Sequence, residues 1–139
     1  MTDETQESKD GLRDCVVLFD DEPNIRETVA FILDAEGIEV ETAADGVEGL
    51  ETVRRMRPKV VLLDVMMPRM NGYDVCRAIR ADAGLKGIYV LILTAKGQKA
   101  DEIKAMEVGC DRYLSKPFDD ELVLALIRDV FDGRLRSDK

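Results

Sequence analysis

Three carboxylates, a hydroxyl and an ammonium in this 139-residue chain each stand at or just past the end of a short apolar run. Asp20 and Asp21 follow Cys15–Phe19 (CVVLF), Asp64 follows Val60–Leu63 (VVLL), Thr94 follows Tyr89–Leu93 (YVLIL), and Lys116 comes shortly after Asp111–Leu114. If those runs lie side by side in one parallel sheet, their ends meet at one crevice, where open α/β sheets bind ligands. Crowded carboxylates repel one another and keep their charge only when a cation joins them. Oxygen donors alone suit Mg²⁺, with Mn²⁺ as the alternative. A carboxylate beside such an ion, with a lysine and a hydroxyl near by, is suited to receive a phosphoryl group. The ion and the ammonium neutralise the transferring oxygens while a carboxylate oxygen attacks in line. Asp64 is central to the set and is assigned as the nucleophile.

Each of these residues has a plainer role when taken singly. Asp20 to Glu22 could be the acidic first turn of a helix, Asp64 and Thr94 caps, and Lys116 a surface charge. Their conjunction carries the functional reading. The chain has no histidine, so any acid–base or phosphoryl chemistry runs on carboxylates, lysine, hydroxyls or a hard metal ion. Cys15, Cys76 and Cys110 sit singly, without metal–thiolate spacing, and read as small buried hydrophobes of a reducing cytoplasm.

The elements that must position these groups alternate regularly. A helix opened by Pro23 and Asn24 turns Ile25, Val29, Ile32 and Leu33 to one face and ends at Gly37. A short strand over 38–42 leads through Asp45-Gly46 into a helix with Val47, Leu50, Val53 and Met56 inward, stopped by Pro58. Val60–Leu63, between Pro58 and Pro68, has the continuous apolar character of a strand covered on both faces. Asn71-Gly72 caps a third helix with Val75, Cys76 and Ile79 inward, and a weaker helix near 99–108 uses Ile103 and Met106. A last helix spans 119–131. Five strands alternating with five helices predict an α/β fold with a doubly wound, five-stranded parallel sheet. Right-handed crossovers then bring every strand's carboxyl end to one edge.

Length and composition set the outer limits. Hydrophobic residues are 45% and charged residues 35%, the profile of one globular domain with a real core. The domain is expected over 14–132, after a disordered leader at 1–13 and before a frayed end or linker at 133–139. A net charge of -9 argues against direct binding of nucleic acid by this piece. The polar, acidic N-terminus is not a signal peptide and no run is long enough to insert in a membrane, so a cytoplasmic location is expected.

From about Asp14 to Phe131 the chain resembles a receiver domain of the bacterial two-component response regulators, the family of the chemotaxis response regulator. The resemblance rests on FDDEPNIR at Phe19–Arg26, LLDVMMPRMNGYD at Leu62–Asp74, LTA at Leu93–Ala95 and YLSKPF at Tyr113–Phe118. It implies a flavodoxin-like fold with strand order 2-1-3-4-5. It further implies that Asp64 takes a phosphoryl group from a sensor histidine kinase or phosphotransfer protein and becomes an aspartyl phosphate. Asp21, Asp64 and the main-chain carbonyl of Met66 would ligate Mg²⁺, with Asp20 acting through a metal-bound water. Lys116 would bind a phosphoryl oxygen, held by a cis Lys116-Pro117 peptide. Thr94 would turn onto the phosphoryl group and Tyr113 would move inward behind it. That motion would change the face made by the fourth helix, fifth strand and fifth helix, which a downstream target or attached output domain reads. On this resemblance the chain is a signalling phosphoacceptor that catalyses only its own phosphotransfer and slow autodephosphorylation.

Two departures stand out. Phe19 precedes the acid pair where the family more often has a small aliphatic residue. Met66 and Lys96, which by the resemblance flank the path of hydrolytic water past Ala95, are bulky and predict slow loss of the phosphoryl group. A Mg²⁺-dependent phosphatase of the haloacid-dehalogenase type would need a second acid two residues beyond the nucleophile, where this chain has Met66. A receiver-like module that signals without phosphate usually lacks part of the acid, threonine or lysine set, all of which is present. On the last helix, Leu122, Val123, Leu126, Ile127 and Val130 form a core stripe with Leu124 and Phe131 at its margin. Those two either contribute to a homodimer contact through this helix or tuck under the neighbouring one.

Overall fold

Three of the five strands are apolar along almost their whole length, and the sheet places those three where both faces are covered. A computed structural model describes residues 11–94, 99–116 and 118–139. In it β1 (Arg13–Phe19), β2 (Glu39–Ala43), β3 (Pro58–Asp64), β4 (Tyr89–Thr94) and β5 (Arg112–Ser115) form one sheet in the order 2-1-3-4-5. Every pairing is parallel. The edge strands β2 and β5 are less buried: β2 alternates exposed and half-buried residues up to a buried Ala43, and β5 is exposed at both ends with Tyr113 and Leu114 half-buried between them. Each fully buried leucine of β3, such as Leu62 or Leu63, stabilises the fold by about 2 kcal/mol relative to exposure.

The helices α1 (Pro23–Ala35), α2 (Gly46–Met56), α3 (Gly72–Ala81), α4 (Lys99–Glu107) and α5 (Asp120–Phe131) cover both faces. Val29 and Leu33 of α1 share a core with Val123, Leu126 and Ile127 of α5. Leu50 and Val53 of α2, Val75 and Ile79 of α3, and Ala105 of α4 fill the other face. Local chemistry sets the helix starts. The side chains of Asp45, Asn71 and Asp119 accept hydrogen bonds from the main-chain N–H groups of Glu48, Asp74 and Glu121. Asp45 is thus a helix cap as well as part of the expected turn.

Several expectations about helix faces change. Val47 is exposed, because the inner side of α2 at that level is made by Gly46, which packs on the Met70 main chain, and Gly49, which packs on the Phe19 ring of β1. Ile103 and Met106 are also exposed, and it is Ala105 of α4 that packs inward. Leu124 and Phe131 are half-buried against the α1/α5 core.

Packing extends past both expected boundaries. Leu12, placed in the leader, is buried. In 133–139, Leu135 packs on the α1/α5 core and the Ser137 hydroxyl donates to Asp111 at 2.8 Å. Asp111 also pairs with Arg80 at 2.7 Å, and Arg80 donates to the carbonyls of Gly109, Lys86 and Ile88, closing the end of the sheet opposite the carboxyl edge. Residues 1–10 of the expected leader lie outside the described residues. No helix among the described residues is long and apolar enough to cross a membrane.

Candidate functional site

With β3 central, β1 on one side and β4 then β5 on the other, the carboxyl edge gathers the groups picked out by type and spacing. Asp64 is the last residue of β3 and lies level with Leu93 of β4 in the parallel register. Asp20 and Asp21 follow β1 directly, Thr94 ends β4, and Lys116 follows β5. One carboxylate oxygen from each of Asp20, Asp21 and Asp64 lies within 4.8 Å of the others. Asp20 and Asp64 are buried at 0% and 6% exposure, whereas Asp21 is exposed.

Buried carboxylates need compensation, and Lys116 provides part of it. Its Nζ donates to Asp20 Oδ2 at 3.0 Å and stands 3.5 Å from Asp64 Oδ2, so a side chain from beyond β5 reaches across to the end of β1. Burial works against the Lys116 charge, but its contacts with Asp20 and Asp64 outweigh that and raise its pKa. Burial raises the pKa of Asp64; Lys116 opposes the shift and Asp20 adds to it. The other Asp64 oxygen, Oδ1, accepts from the Met66 N–H at 3.3 Å. Asp20 is held on two further sides, its Oδ1 accepting from the Glu22 N–H at 3.0 Å and its carbonyl from the Arg26 guanidinium at 2.9 Å.

The donor set fits a hard divalent cation. Three converging carboxylate oxygens with one ammonium leave net negative charge in a partly buried crevice, and all the donors are oxygen. One exposed acid, Asp21, opens the set to solvent and leaves room for further oxygen ligands.

Thr94 is buried at the end of β4, and the Lys116 N–H donates to its carbonyl at 2.6 Å, locking the ends of β4 and β5 together. The Tyr113 side chain packs against the α2/α3/α4 core, and its hydroxyl oxygen is enclosed without a hydrogen-bond partner among the described residues. Met66 itself is 71% exposed. The expected cis Lys116-Pro117 peptide and the roles given to Ala95 and Lys96 fall on Pro117 and residues 95–98, outside the described residues.

Sequence reasoning missed the supports around these groups. Arg26 reaches back to the Asp20 carbonyl, and Arg69 binds Asp45 across the crevice rim at 3.0 Å. A single arginine on a helix or loop carries no period or spacing that would mark it.

The geometry agrees with comparisons to known proteins. The profile of the response regulator receiver domain matches residues 16–128. The chain is 40% identical over 130 residues to the DNA-binding response regulator MtrA of Mycolicibacterium smegmatis, covering 94% of this chain and 54% of that protein. It is 39% identical over 113 residues to the DNA-binding dual master transcriptional regulator RpaA of Synechocystis, covering 81% and 47%. It thus spans about half the length of these curated relatives. Among solved structures it resembles the chemotaxis protein CheY4 of Vibrio cholerae, with a TM-score of 0.76 and 36% identity, covering 83% of this chain and 96% of that one. It also resembles the receiver domain of the sensor histidine kinase PA1611 of Pseudomonas aeruginosa, solved with a magnesium ion coordinated in its active-site cleft. That match has a TM-score of 0.78 and 25% identity, covering 86% and 98%. Fold and site together define a flavodoxin-like receiver. The chain belongs to the response regulator receiver domain family, the phosphorylation-controlled modules of two-component signalling.

Proposed function

We propose that Asp64 is the phosphoacceptor of this receiver and takes its phosphoryl group from the phosphohistidine of a sensor kinase or phosphotransfer protein. The observation that carries the reading is the Lys116 ammonium between the buried Asp20 and Asp64 carboxylates, beside the three converging acid oxygens. Asp20, Asp21, Asp64 and the Met66 carbonyl are the groups that would hold Mg²⁺, or Mn²⁺, which prefers the same donors. Bound there, the ion would neutralise charge on the phosphoryl oxygens.

The chain's own residues do the rest. An Asp64 oxygen attacks phosphorus as the bond to the histidine nitrogen breaks, and Lys116 moves from carboxylate to phosphoryl oxygen as charge builds there. The Met66 N–H, already directed at Asp64, remains as a donor on that side. Thr94 and Tyr113 register the added charge on the face formed by α4, β5 and α5. Apolar surface on that face comes from Ile103 and Met106 of α4, at 50% and 46% exposure, which a downstream target or an attached output domain would cover. The chain works in the cytoplasm as a signalling phosphoacceptor, catalysing its own phosphotransfer and a slow autodephosphorylation. Its acidic surface makes no direct contact with nucleic acid. Of the two readings of Leu124 and Phe131, packing under the neighbouring helix is favoured over a homodimer contact, because both are half-buried on the α1/α5 core.

Intact-protein mass after incubation with acetyl phosphate and Mg²⁺ tests the reading. A gain of one phosphoryl group, absent with EDTA and in Asp64→Asn, is expected. No gain under conditions that phosphorylate another receiver would leave a phosphate-independent interaction module.

A further inference from the structure

We infer that Asp45 and Arg69, outside the acid cluster, are positioning residues that clamp the β3–α3 loop and so set the affinity of the site for a divalent cation. The inference rests on the proposed reading of Met66 as a main-chain ligand. That loop leaves β3 after Asp64 and enters α3 at Asn71, and both ends are fixed. The Val65 N–H donates to the Leu93 carbonyl at 3.3 Å, and the Gly72 N–H to the Val65 carbonyl at 3.0 Å. Between them, among the described residues, the loop main chain is held by the Met66 N–H donating to Asp64 Oδ1 at 3.3 Å and by the turn bond from the Met70 N–H to the Pro68 carbonyl at 2.7 Å.

The loop's outer bend is held from α2. One terminal nitrogen of Arg69 donates to both oxygens of Asp45, each at 3.0 Å. Asp45 Oδ1 also accepts from the Glu48 N–H at 2.8 Å as the cap of α2, so the anchor is itself fixed. One residue on, the helix meets the loop directly. A Cβ on Gly46 would lie 2.0 Å from the Met70 carbonyl oxygen, so glycine there admits the loop. Arg69 adopts φ 68, a left-handed conformation unfavourable for a residue with a Cβ. Glycine would serve that bend better for folding alone. The arginine instead keeps a strained bend and gains the ion pair.

The pair is half exposed, with 58% of the Arg69 side chain open, so its worth to folding is small. Its leverage is positional. Met66 lies three residues before the clamped bend, and Mg²⁺ demands near-ideal ligand placement, so a loop free to drift weakens binding.

Calorimetric Mg²⁺ titration of the parent, Arg69→Gly and Asp45→Asn tests this, with thermal melts in EDTA beside it. Arg69→Gly removes strain and should melt no lower than the parent. Asn keeps the helix cap in Asp45→Asn. Charge alone predicts opposite effects: removing the arginine should tighten cation binding, and removing the aspartate should weaken it. The clamp predicts that both variants weaken it, by about threefold to tenfold, and that the double variant is no weaker than the worse single. If Arg69→Gly binds Mg²⁺ as well as the parent or better, the clamp is wrong while the functional reading stands. If the parent itself binds no Mg²⁺, that reading fails and takes the clamp with it.

Discussion

The ring of Phe19 lies where any side chain at position 49 would have to be: a Cβ on Gly49 would come within 2.1 Å of Phe19 Cε2. Phe19 is fully buried at the end of β1, one residue before the acid pair, and α2 makes room for it with a glycine. The bulk that departs from the common family residue is thus matched across the β1/α2 contact. Helix propensity alone would have Gly49→Ala stabilise the protein by about 1 kcal/mol. The contact predicts the reverse, a loss of about 2 kcal/mol from overpacking in urea denaturation. Phe19→Val should relieve that loss in the double variant, with a coupling of at least about 1 kcal/mol. Additive effects would show that the two positions do not meet.

Asp64 is buried beside Asp20 with a single ammonium for compensation. Asp64→Asn removes one of the crowded charges while keeping the shape. In EDTA it should melt a few degrees above the parent. Mg²⁺ should raise the melting temperature of the parent much more than that of Asp64→Asn. Equal responses of the two proteins to Mg²⁺ would place the cation elsewhere.

Met66 stands 71% exposed two residues past Asp64, with its N–H on the Asp64 carboxylate. The expectation of slow hydrolysis rests here on Met66, since Lys96 lies outside the described residues. The phosphorylated protein should outlast a timescale of seconds in a discharge assay, and Met66→Ala should shorten its lifetime by about threefold or more by opening the approach to water. A lifetime of seconds in the parent, or no change in the variant, contradicts the screening role.

The three cysteines are all buried, and burial pushes the thiols of Cys15 and Cys76 up to about 11 and that of Cys110 to about 12. At about pH 8 the reactive thiolate is scarce as well as enclosed. Ellman's reagent should find essentially no thiol in the native protein and all three after denaturation in urea. Fast labelling of the native state would reveal local opening at β1, at α3 or after α4, according to which of Cys15, Cys76 and Cys110 is labelled.

The sheet was legible because β1, β3 and β4 are continuous apolar runs whose ends coincide with Asp20, Asp64 and Thr94. Periodicity was weaker on α4, where Ile103 and Met106 suggested an inward face but Ala105 occupies it; the small residue carries the packing and the large ones are left for solvent or a partner. Val47 misled for a related reason, since Gly46 and Gly49 set the inner side of α2 by lacking side chains. The acid, threonine and lysine set could be read from strand ends alone. The Asp45–Arg69 pair could not, because it joins two loops 24 residues apart with no pattern in either. Nor could the docking of the C-terminal residues through Ser137 and Asp111, which depends on where α5 ends in space.

Mapping the phosphoryl group to a residue tests the assignment of Asp64 most directly. Protein charged with acetyl phosphate and Mg²⁺ is reduced with borohydride, which converts an acyl phosphate to the alcohol and an aspartyl phosphate to homoserine, and is then digested and sequenced by mass spectrometry. Homoserine at position 64 alone, absent when EDTA is present during charging, is the predicted result. Homoserine at position 20 or 21, or phosphate stable to borohydride on a hydroxyl such as that of Thr94, would contradict Asp64 as the acceptor.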